Sequence, residues 1–355
     1  MYHTTKNNQK TSPIAHDGIN KNIKQSRNLF ELGSYRKSLK ICESIYIVDA
    51  CHVENLLMMG ALHFQLHNIS ESIFYCQQCI RVDPASAEAH SIIGNCMKEL
   101  GDTESALIFY HKAIRINPRL ADAYNNEASL HFELGNTNAA IKSYKMAMSL
   151  DKSHSDAMCN LGNVYKVMGK ATDAKEQYLQ AIKINPKCAI AWSNLGGIFN
   201  ECQEFNTAIE NYKQAIKISP LFADAHSNLG NALVNLCDSS NDSQKICLAE
   251  KSYEESIAIR KDFSIGKGNL SLILQKRGSS YLAIKMLRRA LFIEPKFTDA
   301  LNNLAAIYFE NEQFSECLKL SFRALKNKPD HLHVYNNAGI ALRQKVIIDL
   351  FVVRM

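Results

Sequence analysis

The stretch ADAHSNLGNAL, residues 223–233, places an aspartate and an asparagine inside a segment whose apolar spacing predicts a helix. Neither residue favours a helix interior. Related stretches occur elsewhere in the chain: ADAYNNEASL (121–130), SDAMCNLGNV (155–164), AIAWSNLGGI (189–198) and TDALNNLAAI (298–307). Their recurrence indicates an internal repeat, which has to be identified before the fold can be predicted.

Prolines mark the period of this repeat. A spacing of 34 residues separates Pro84 from Pro118, Pro186 from Pro220, and Pro295 from Pro329. Counting back 34 residues from Pro295 gives Lys261, which lies 41 residues after Pro220. One repeat therefore carries seven extra residues.

Small and aromatic residues follow the same period. Ten residues after each proline position stands a small residue, as at Gly94, Gly196 and Gly230, and an aromatic follows in most units. The aromatic positions are Tyr110, Tyr144, Tyr178, Tyr212 and Tyr253. Small residues let two antiparallel helices approach closely, and we expect the aromatic to fill the gap between hairpins. A 34-residue helix–turn–helix unit of this kind predicts an all-α tetratricopeptide-repeat fold, stacked as a right-handed superhelical solenoid.

The register divides the chain of 355 residues into three parts. We predict a disordered N-terminal tail over 1–18, then nine repeats and one terminal helix over 19–345. The seven extra residues lie in a segment rich in Ser, Asp and Asn, which predicts a surface loop near 237–248. Residues 346–355, which read VIIDLFVVRM, form an atypical tail that departs from the repeat.

Composition restricts the classes of partner and location. The formal charge of +6 is mild, and the basic residues form no evident stripe, so we expect no nucleic-acid partner. No apolar run is long enough to predict a membrane span. The eleven cysteines form no disulfide framework, which favours reduced thiols in the cytoplasm or nucleus. We expect no cofactor and no metal.

Two series of polar residues recur in the first helix of the repeats, which lines the concave face in this fold. Seven successive repeats carry an asparagine, at Asn126, Asn160, Asn194, Asn228, Asn269, Asn303 and Asn337. One helical turn earlier stand Asp122, Asp156, Asp224 and Asp299. Positions i and i+4 share a helix face, so we expect two parallel ladders along one groove.

An amide side chain carries both a donor and an acceptor, so a series of amides can hold the backbone of an extended peptide. The acids would favour peptides that carry Lys or Arg. We therefore predict that the groove binds extended or disordered protein segments. Two structural explanations remain open: the acids complement helix dipoles, and the asparagines form bonds within the stack. The convex face is a candidate surface for a homodimer.

Several of these stretches resemble the repeat region of the O-GlcNAc transferase family, with plant-type members nearest. The resemblance covers roughly residues 24–345 and rests on NLLMMGALHFQLHNISESI (55–73), NLGNVYK (160–166), AIAWSNLGGIFN (189–200) and SPLFADAHSNLGNAL (219–233). It implies a superhelix that recruits protein substrates through the asparagines and aspartates named above. Met58 and Ile92 replace the asparagine in two early repeats, so the ladder is interrupted.

The family places a glycosyltransferase domain, which binds UDP-GlcNAc, after the repeats. We find no residues for that chemistry here, so we expect this chain by itself to be catalytically inactive and to represent a truncated member. The alternative is a stand-alone adaptor for ciliary, transport or other assemblies. A chaperone carboxylate clamp is disfavoured, because such a clamp needs lysines where these helices carry acids.

Two smaller motifs resemble redox or metal sites, but their positions in the repeat favour a structural role. Cys76 and Cys79 form a C-x-x-C, but they occupy core positions of a second helix, which favours packing over redox or zinc chemistry. His63 and His67 lie one helical turn apart, without a third metal ligand.

Overall fold

The computed structural model describes residues 13–238 and 243–354. Over these residues the chain forms helices joined by short turns. The first helices of successive hairpins are α1 (Pro13–Glu31), α3 (Val53–Gln65), α5 (Ala87–Glu99), α7 (Ala121–Glu133), α9 (Ser155–Val167), α11 (Ala189–Glu201), α13 (Ala223–Asp238), α15 (Ser264–Lys276) and α17 (Thr298–Glu310). The second helices are α2 (Tyr35–Val48), α4 (Ile69–Val82), α6 (Thr103–Ile116), α8 (Thr137–Leu150), α10 (Ala171–Ile184), α12 (Phe205–Ile218), α14 (Ser243–Ile259), α16 (Ser280–Ile293) and α18 (Phe314–Asn327), and α19 (Leu332–Arg354) follows.

The hairpins belong to two compact units, Met1–Gln177 and Tyr178–Met355. Within each unit the two helices of a hairpin pack antiparallel, and each hairpin packs against the next. The first helices of consecutive hairpins also contact each other, as α5 contacts α7 and α13 contacts α15. The second helices do not make this contact over the described residues, so in each unit the first helices form the tighter, inner layer.

Several hairpins pair a glycine on the first helix with a tyrosine on the second. Tyr110 of α6 is fully buried, and its ring lies against Gly94 of α5 in the same hairpin. Its core cluster also includes Leu130 of the following hairpin. The tyrosine therefore does fill a gap between hairpins, as predicted, but it also fixes the approach of the two helices within its own hairpin.

Apart from the seventh hairpin, whose turn lies outside the described residues, the turn inside a hairpin has a residue in the left-handed region, where glycine is favoured. Gly101, Gly135 and Gly169 take φ values of 79°, 78° and 73° there. Gln203 and Glu312 hold the same turn position with φ values of 63° and 58°. For both residues this left-handed backbone conformation costs roughly 1–2 kcal/mol, because they carry a Cβ.

The predicted loop near 237–248 is wrong for most of its length. Helix α13 has 16 residues and α14 has 17, whereas the preceding hairpin has helices of 13 and 14 residues. Each helix of the seventh hairpin is thus three residues longer, and only 239–242 lie outside the described residues. The helices continue because apolar residues keep helical spacing: Leu233 and Cys237 are buried in α13, and Ile246 of α14 packs on the same core that contains Ala249.

The two ends of the chain also differ from the sequence-based boundaries. Helix α1 begins at Pro13, inside the predicted tail, and residues 1–12 of that tail lie outside the described residues. Helix α19 runs for 23 residues through most of the segment 346–355 that was expected to break the repeat. Neither glycine nor proline occurs in that segment, so nothing in it ends a helix.

Candidate functional site

The seven ladder asparagines stand on the first helices of successive hairpins, from α7 to α19, and each is partly exposed. Asn126 and Asn160 lie in the first compact unit, and the other five lie in the second. Position and exposure thus agree with a series of amides on the inner layer of each unit.

Several of these amides bridge neighbouring hairpins. The Nδ2 of Asn160 donates to Oδ1 of Asn125, 3.1 Å away, and Asn337 donates to Asn302 over the same distance. Asn269 donates to Asn231 at 3.0 Å. The structural explanation, bonds within the stack, therefore holds for these three ladder positions, and the bond consumes one of the two N–H groups of each amide.

The asparagines that accept these bonds were not identified from the sequence; they are Asn125, Asn302 and Asn231. Two of them could have been recognised from the sequence. Asn125 and Asn302 directly precede a ladder asparagine, so a doubled asparagine marks them. Asn231 and Asn95 follow a buried glycine instead, in the stretches LGNAL and IGNCM. Their Oδ1 atoms accept the hydroxyls of Tyr253 at 2.7 Å and of Tyr110 at 2.8 Å.

All four ladder aspartates are exposed, and three of them face a basic side chain in the turn that leads to the next first helix. Asp122 lies 3.2 Å from Nε2 of His154, Asp299 lies 3.4 Å from His331, and Asp224 accepts from Arg260 at 2.6 Å. These pairs connect the aspartates to the turn before the next first helix. For a structural role, the sequence had suggested only an interaction with the dipole of their own helix.

The interaction between Asp122 and His154 also changes the pKa of both side chains. The Asp122 carboxylate beside Nε2 raises the pKa of His154 against the opposing effect of burial, and the neighbouring Asp156 and Asp151 raise it further. The same ion pair lowers the pKa of Asp122. Nδ1 of His154 meanwhile accepts from the backbone N–H of Ala157, so the imidazole also caps α9.

One concavity in the first unit brings acids and amides together. It has a volume of about 340 Å³, and its rim is formed by the first helices α5, α7 and α9. Three carboxylates line it, from Glu88, Asp122 and Asp156, together with the amides of Asn95, Asn125 and Asn126, and with His154. Asp122 and Asn126, one helical turn apart, therefore do share one face as predicted.

Family models identify the repeat that builds this inner layer. A model described as a tetratricopeptide repeat matches residues 53–86, 87–120, 121–154 and 155–188, and a second model, described as a TPR repeat, matches 196–236. The chain is built from tetratricopeptide repeats. The four matches of the first model begin at the first residues of α3, α5, α7 and α9, so each ends in the turn between two hairpins.

A solved structure shows the same fold over most of this chain. A chain of the APC/C hetero-tetramer Cut9–Hcn1 aligns with a TM-score of 0.68 and 13% identity, covering 86% of this chain and 59% of that chain. A thermophilic TPR protein from Thermus thermophilus aligns with a TM-score of 0.48 and 21% identity, covering 53% of this chain and 98% of its own. The predicted all-α tetratricopeptide-repeat fold is confirmed, and this chain spans about three fifths of the APC/C chain that it matches. A search of curated proteins gave no match.

The C-x-x-C of the second tetratricopeptide repeat lies in the core, as predicted. Cys76 and Cys79 of α4 are both fully buried, and burial raises the pKa of each thiol. Sγ of Cys76 takes the place of the tyrosine ring, against Gly60 of the same hairpin. A buried thiol with a raised pKa is a poor nucleophile, so this pair acts as packing.

Residues 13–238 and 243–354 contain neither a cluster of metal ligands nor a membrane-spanning helix. In that part of the chain no three His, Cys, Asp or Glu side chains converge as metal ligands would. His63 stacks on Tyr75 at 5.2 Å, and His67 takes a positive φ in the turn of its hairpin. No helix in those ranges has the length and apolar character required to cross a bilayer.

Basic residues are concentrated in one region of the second unit. Residues 257–293, which run from α14 to α16, contain eight Lys or Arg and one Asp, a formal charge of +7 against +6 for the entire chain. These basic residues lie in α15, in α16 and in the turns before those two helices, and their excess is visible in the sequence as one contiguous stretch.

Proposed function

We propose that this tetratricopeptide-repeat chain is a protein-interaction scaffold whose first unit binds extended polypeptide carrying Lys or Arg. The observation that supports this proposal is the concavity shared by α5, α7 and α9, where three carboxylates and three amides stand together. Carboxylates attract a cationic side chain, and amides can pair with peptide N–H and C=O groups.

The interactions between hairpins leave hydrogen-bonding capacity for a ligand. A side-chain amide has two N–H groups and one carbonyl, and the stacking bond of Asn160 uses a single N–H. Asn126 and Asn160 are both partly exposed, so their remaining groups can reach a ligand. The stacking bonds also hold the amides in fixed orientations, which lowers the entropy lost on binding.

The charge balance of the concavity favours basic peptides over acidic ones. His154 neutralises part of the charge of Asp122, but Glu88 and Asp156 are exposed and line the same concavity. A peptide with Lys or Arg would replace water around these acids, and an acidic peptide would meet like charges.

A finer proposal follows from the resemblance to O-GlcNAc transferases. In that reading the bound peptides are protein substrates, and the chain is the recruiting part of a glycosyltransferase. The alternative is an adaptor that brings assembly partners together without transferase ancestry. The genomic sequence downstream of the last repeat distinguishes them, because a glycosyltransferase-coding stretch there supports the first proposal and its absence supports the second.

Binding to a labelled probe peptide tests the proposed function. The probe is a disordered peptide of Ser, Thr, Gly and Pro with interspersed Lys and Arg, and its control carries Glu at the basic positions. We expect fluorescence anisotropy to show binding of the basic probe alone. Replacement of Asp122 and Asp156 by Asn should weaken binding by roughly tenfold, and Asn126→Ala should weaken it by several-fold, since each contact contributes on the order of 1 kcal/mol.

A matched variant separates binding from stacking. Asn302→Ala removes a stacking bond of the second unit, at the position equivalent to Asn125, and leaves the concavity intact. We expect it to bind the probe like the wild type. Equal binding of the basic and acidic probes, or unchanged affinity in the Asp122 and Asp156 variant, would contradict the proposal.

A further inference from the structure

A groove on the second unit combines basic and apolar side chains. It lies between the second helices α14 and α16 and has a volume of about 680 Å³. Five basic residues line it, Lys261, Lys267, Lys285, Arg288 and Arg289, and the other five lining residues are apolar or aromatic. This groove lies outside the inner layer to which the proposed peptide site belongs.

The groove exists because second helices spread apart on the outer side. Over their described residues, the Cα atoms of α14 and α16 do not approach within 8 Å, whereas α13 and α15 beneath them do. Helix α15 packs against both and closes the bottom of the groove. Lys267 of α15 is almost fully buried there, and its Nζ donates to the backbone carbonyls of Lys261 and Phe263.

One face of α16 carries most of the exposed aromatic and basic side chains of the groove. Tyr281, Lys285, Arg288 and Phe292 recur at helical spacing, so aromatic and basic residues share one face. The residues Tyr281 and Phe292 are 77% and 89% exposed, a large apolar area to leave in water. The Nη2 of Arg288 donates to the hydroxyl of Tyr308 at 2.8 Å, which holds this guanidinium at the rim.

Stability alone does not explain this arrangement. Like charges placed together oppose folding, and burial together with Arg289 lowers the pKa of Lys267. The equivalent helix of the first unit, α8, has Lys142 and Lys145 where α16 has Lys285 and Arg288. It has Asn138 and Ser149 where α16 has Tyr281 and Phe292, so the exposed aromatics distinguish α16 from α8.

We infer that the α14–α16 groove is a second docking site, which binds an acidic amphipathic peptide helix. Apolar side chains of the peptide would cover Tyr281, Ile284 and Phe292, and its Asp or Glu side chains would pair with Lys285 and Arg289. A helix laid in a groove is a recurrent mode of peptide recognition. The concave groove, whose walls carry apolar side chains, fits such a helix better than a flat bilayer surface, and nucleic acid would leave those apolar side chains uncovered.

A synthetic helical peptide tests this inference independently of the inner-layer site. The probe carries Leu and Phe on one face and Glu on the other, with a fluorescent label, and its control has Lys in place of every Glu. We expect the wild type to bind the acidic probe and reject the basic one. Binding to α14–α16 would persist in the Asp122 and Asp156 variant described above, so the two proposals can fail separately.

Variants on α16 locate the site. Lys285→Glu with Arg289→Glu should weaken binding roughly tenfold or more, and so should Tyr281→Ser with Phe292→Ser. All four side chains are exposed, so we expect circular dichroism and the unfolding midpoint to stay unchanged. The matched control, Lys142→Glu with Lys145→Glu on α8, changes the same number of charges and should bind like the wild type.

Three results would overturn the inference. Equal loss in the α8 control would show that binding follows net charge alone. Unchanged affinity in both α16 variants would place the probe elsewhere. Failure to bind the acidic probe, combined with α16-dependent binding to phosphatidylserine vesicles or to single-stranded RNA, would assign the groove to a membrane or a nucleic acid.

Discussion

The ring of Tyr110 occupies the space that a side chain on Gly94 would need. A Cβ added to Gly94 would lie 2.5 Å from Cε1 of that ring, closer than real Cβ contacts come. The same relationship joins Gly230 to Tyr253 at 2.6 Å and Gly196 to Tyr212 at 2.9 Å. The two helices of these hairpins therefore approach as closely as a glycine and a tyrosine allow.

Gly94→Ala should destabilise the protein by about 1 kcal/mol, because the buried ring must shift to accept the methyl group. The cost stays near the low end of the range for overpacking, since Ala128 holds the equivalent position opposite Tyr144. The matched control is Gly339→Ala, in the same repeat position of α19, where a Cβ meets nothing within 4 Å. There we expect a gain of about 0.5–1 kcal/mol from helix propensity. Urea unfolding measures both, and equal effects would show that the ring yields freely.

Gln203→Gly should stabilise the protein by up to about 1 kcal/mol, because glycine takes the left-handed turn conformation without steric cost. Gln203 has a φ of 63° and an exposed side chain, so few contacts are lost. Gln203→Ala keeps a Cβ in the same conformation and should give no comparable gain. Thermal unfolding of the three proteins compares them, and a destabilising glycine would contradict the explanation.

The hydroxyl of Tyr253 and the amide of Asn231 should show coupled energies in a double-mutant cycle. Asn231→Ala leaves the buried hydroxyl without its acceptor, and it also removes the acceptor of Asn269, so we expect a loss of about 1–3 kcal/mol. Tyr253→Phe should cost less, about 0.5–1.5 kcal/mol, because the Asn231 carbonyl still accepts from Asn269. The double variant should lose less than the sum. Strict additivity would mean that the hydroxyl bond does not contribute to stability.

The pair of Asp122 and His154 should make stability depend on pH. The folded protein raises the pKa of His154, so this contribution is complete below the unfolded value of about 6.5 and disappears as pH rises through the folded value. Asp122 has a lowered pKa, so its contribution is complete above about pH 4 and disappears as pH falls further. The pair therefore stabilises most between these limits.

Asp122→Asn tests this pH dependence. We expect the variant to be less stable than the wild type near pH 5–6, which is about one to two units above the unfolded carboxyl pKa. In alkaline solution the two proteins should have nearly equal stability. The pKa of His154, followed by NMR, should fall as well. Asp156→Asn is the matched control, since Asp156 acts on His154 only through its charge and should move the pKa less. A pH-independent difference between wild type and Asp122→Asn would refute the assignment.

The 34-residue period was sufficient to predict the helical hairpins, because proline, glycine and tyrosine positions recur where close packing demands them. Pairing between hairpins was harder to foresee. Contacts such as Asn160 with Asn125, or Asp122 with His154, join residues more than 30 positions apart. Periodicity places such residues on a helix face, but it does not show which neighbouring side chain they reach.

Composition was misleading where helices extend beyond the ordinary repeat. The Ser- and Asp-containing segment near 237–248 predicted a loop by residue type, although Leu233, Cys237 and Ile246 maintain a helical pattern around it. Local composition is a weak guide when the apolar spacing on both sides continues. The basic cluster of residues 257–293 was missed for a related reason, since a chain-wide charge of +6 averages over a local excess.

The seventh hairpin shows how such an array tolerates a change of length during evolution. Its two antiparallel helices are each three residues longer than those of the hairpin before, so the two helices have gained equal length. An unequal addition would have displaced one helix against the other and misaligned the interface with the next hairpin. Insertions that survive at this position should therefore be balanced across the turn, and a foreign segment could be grafted there if both helices are lengthened together.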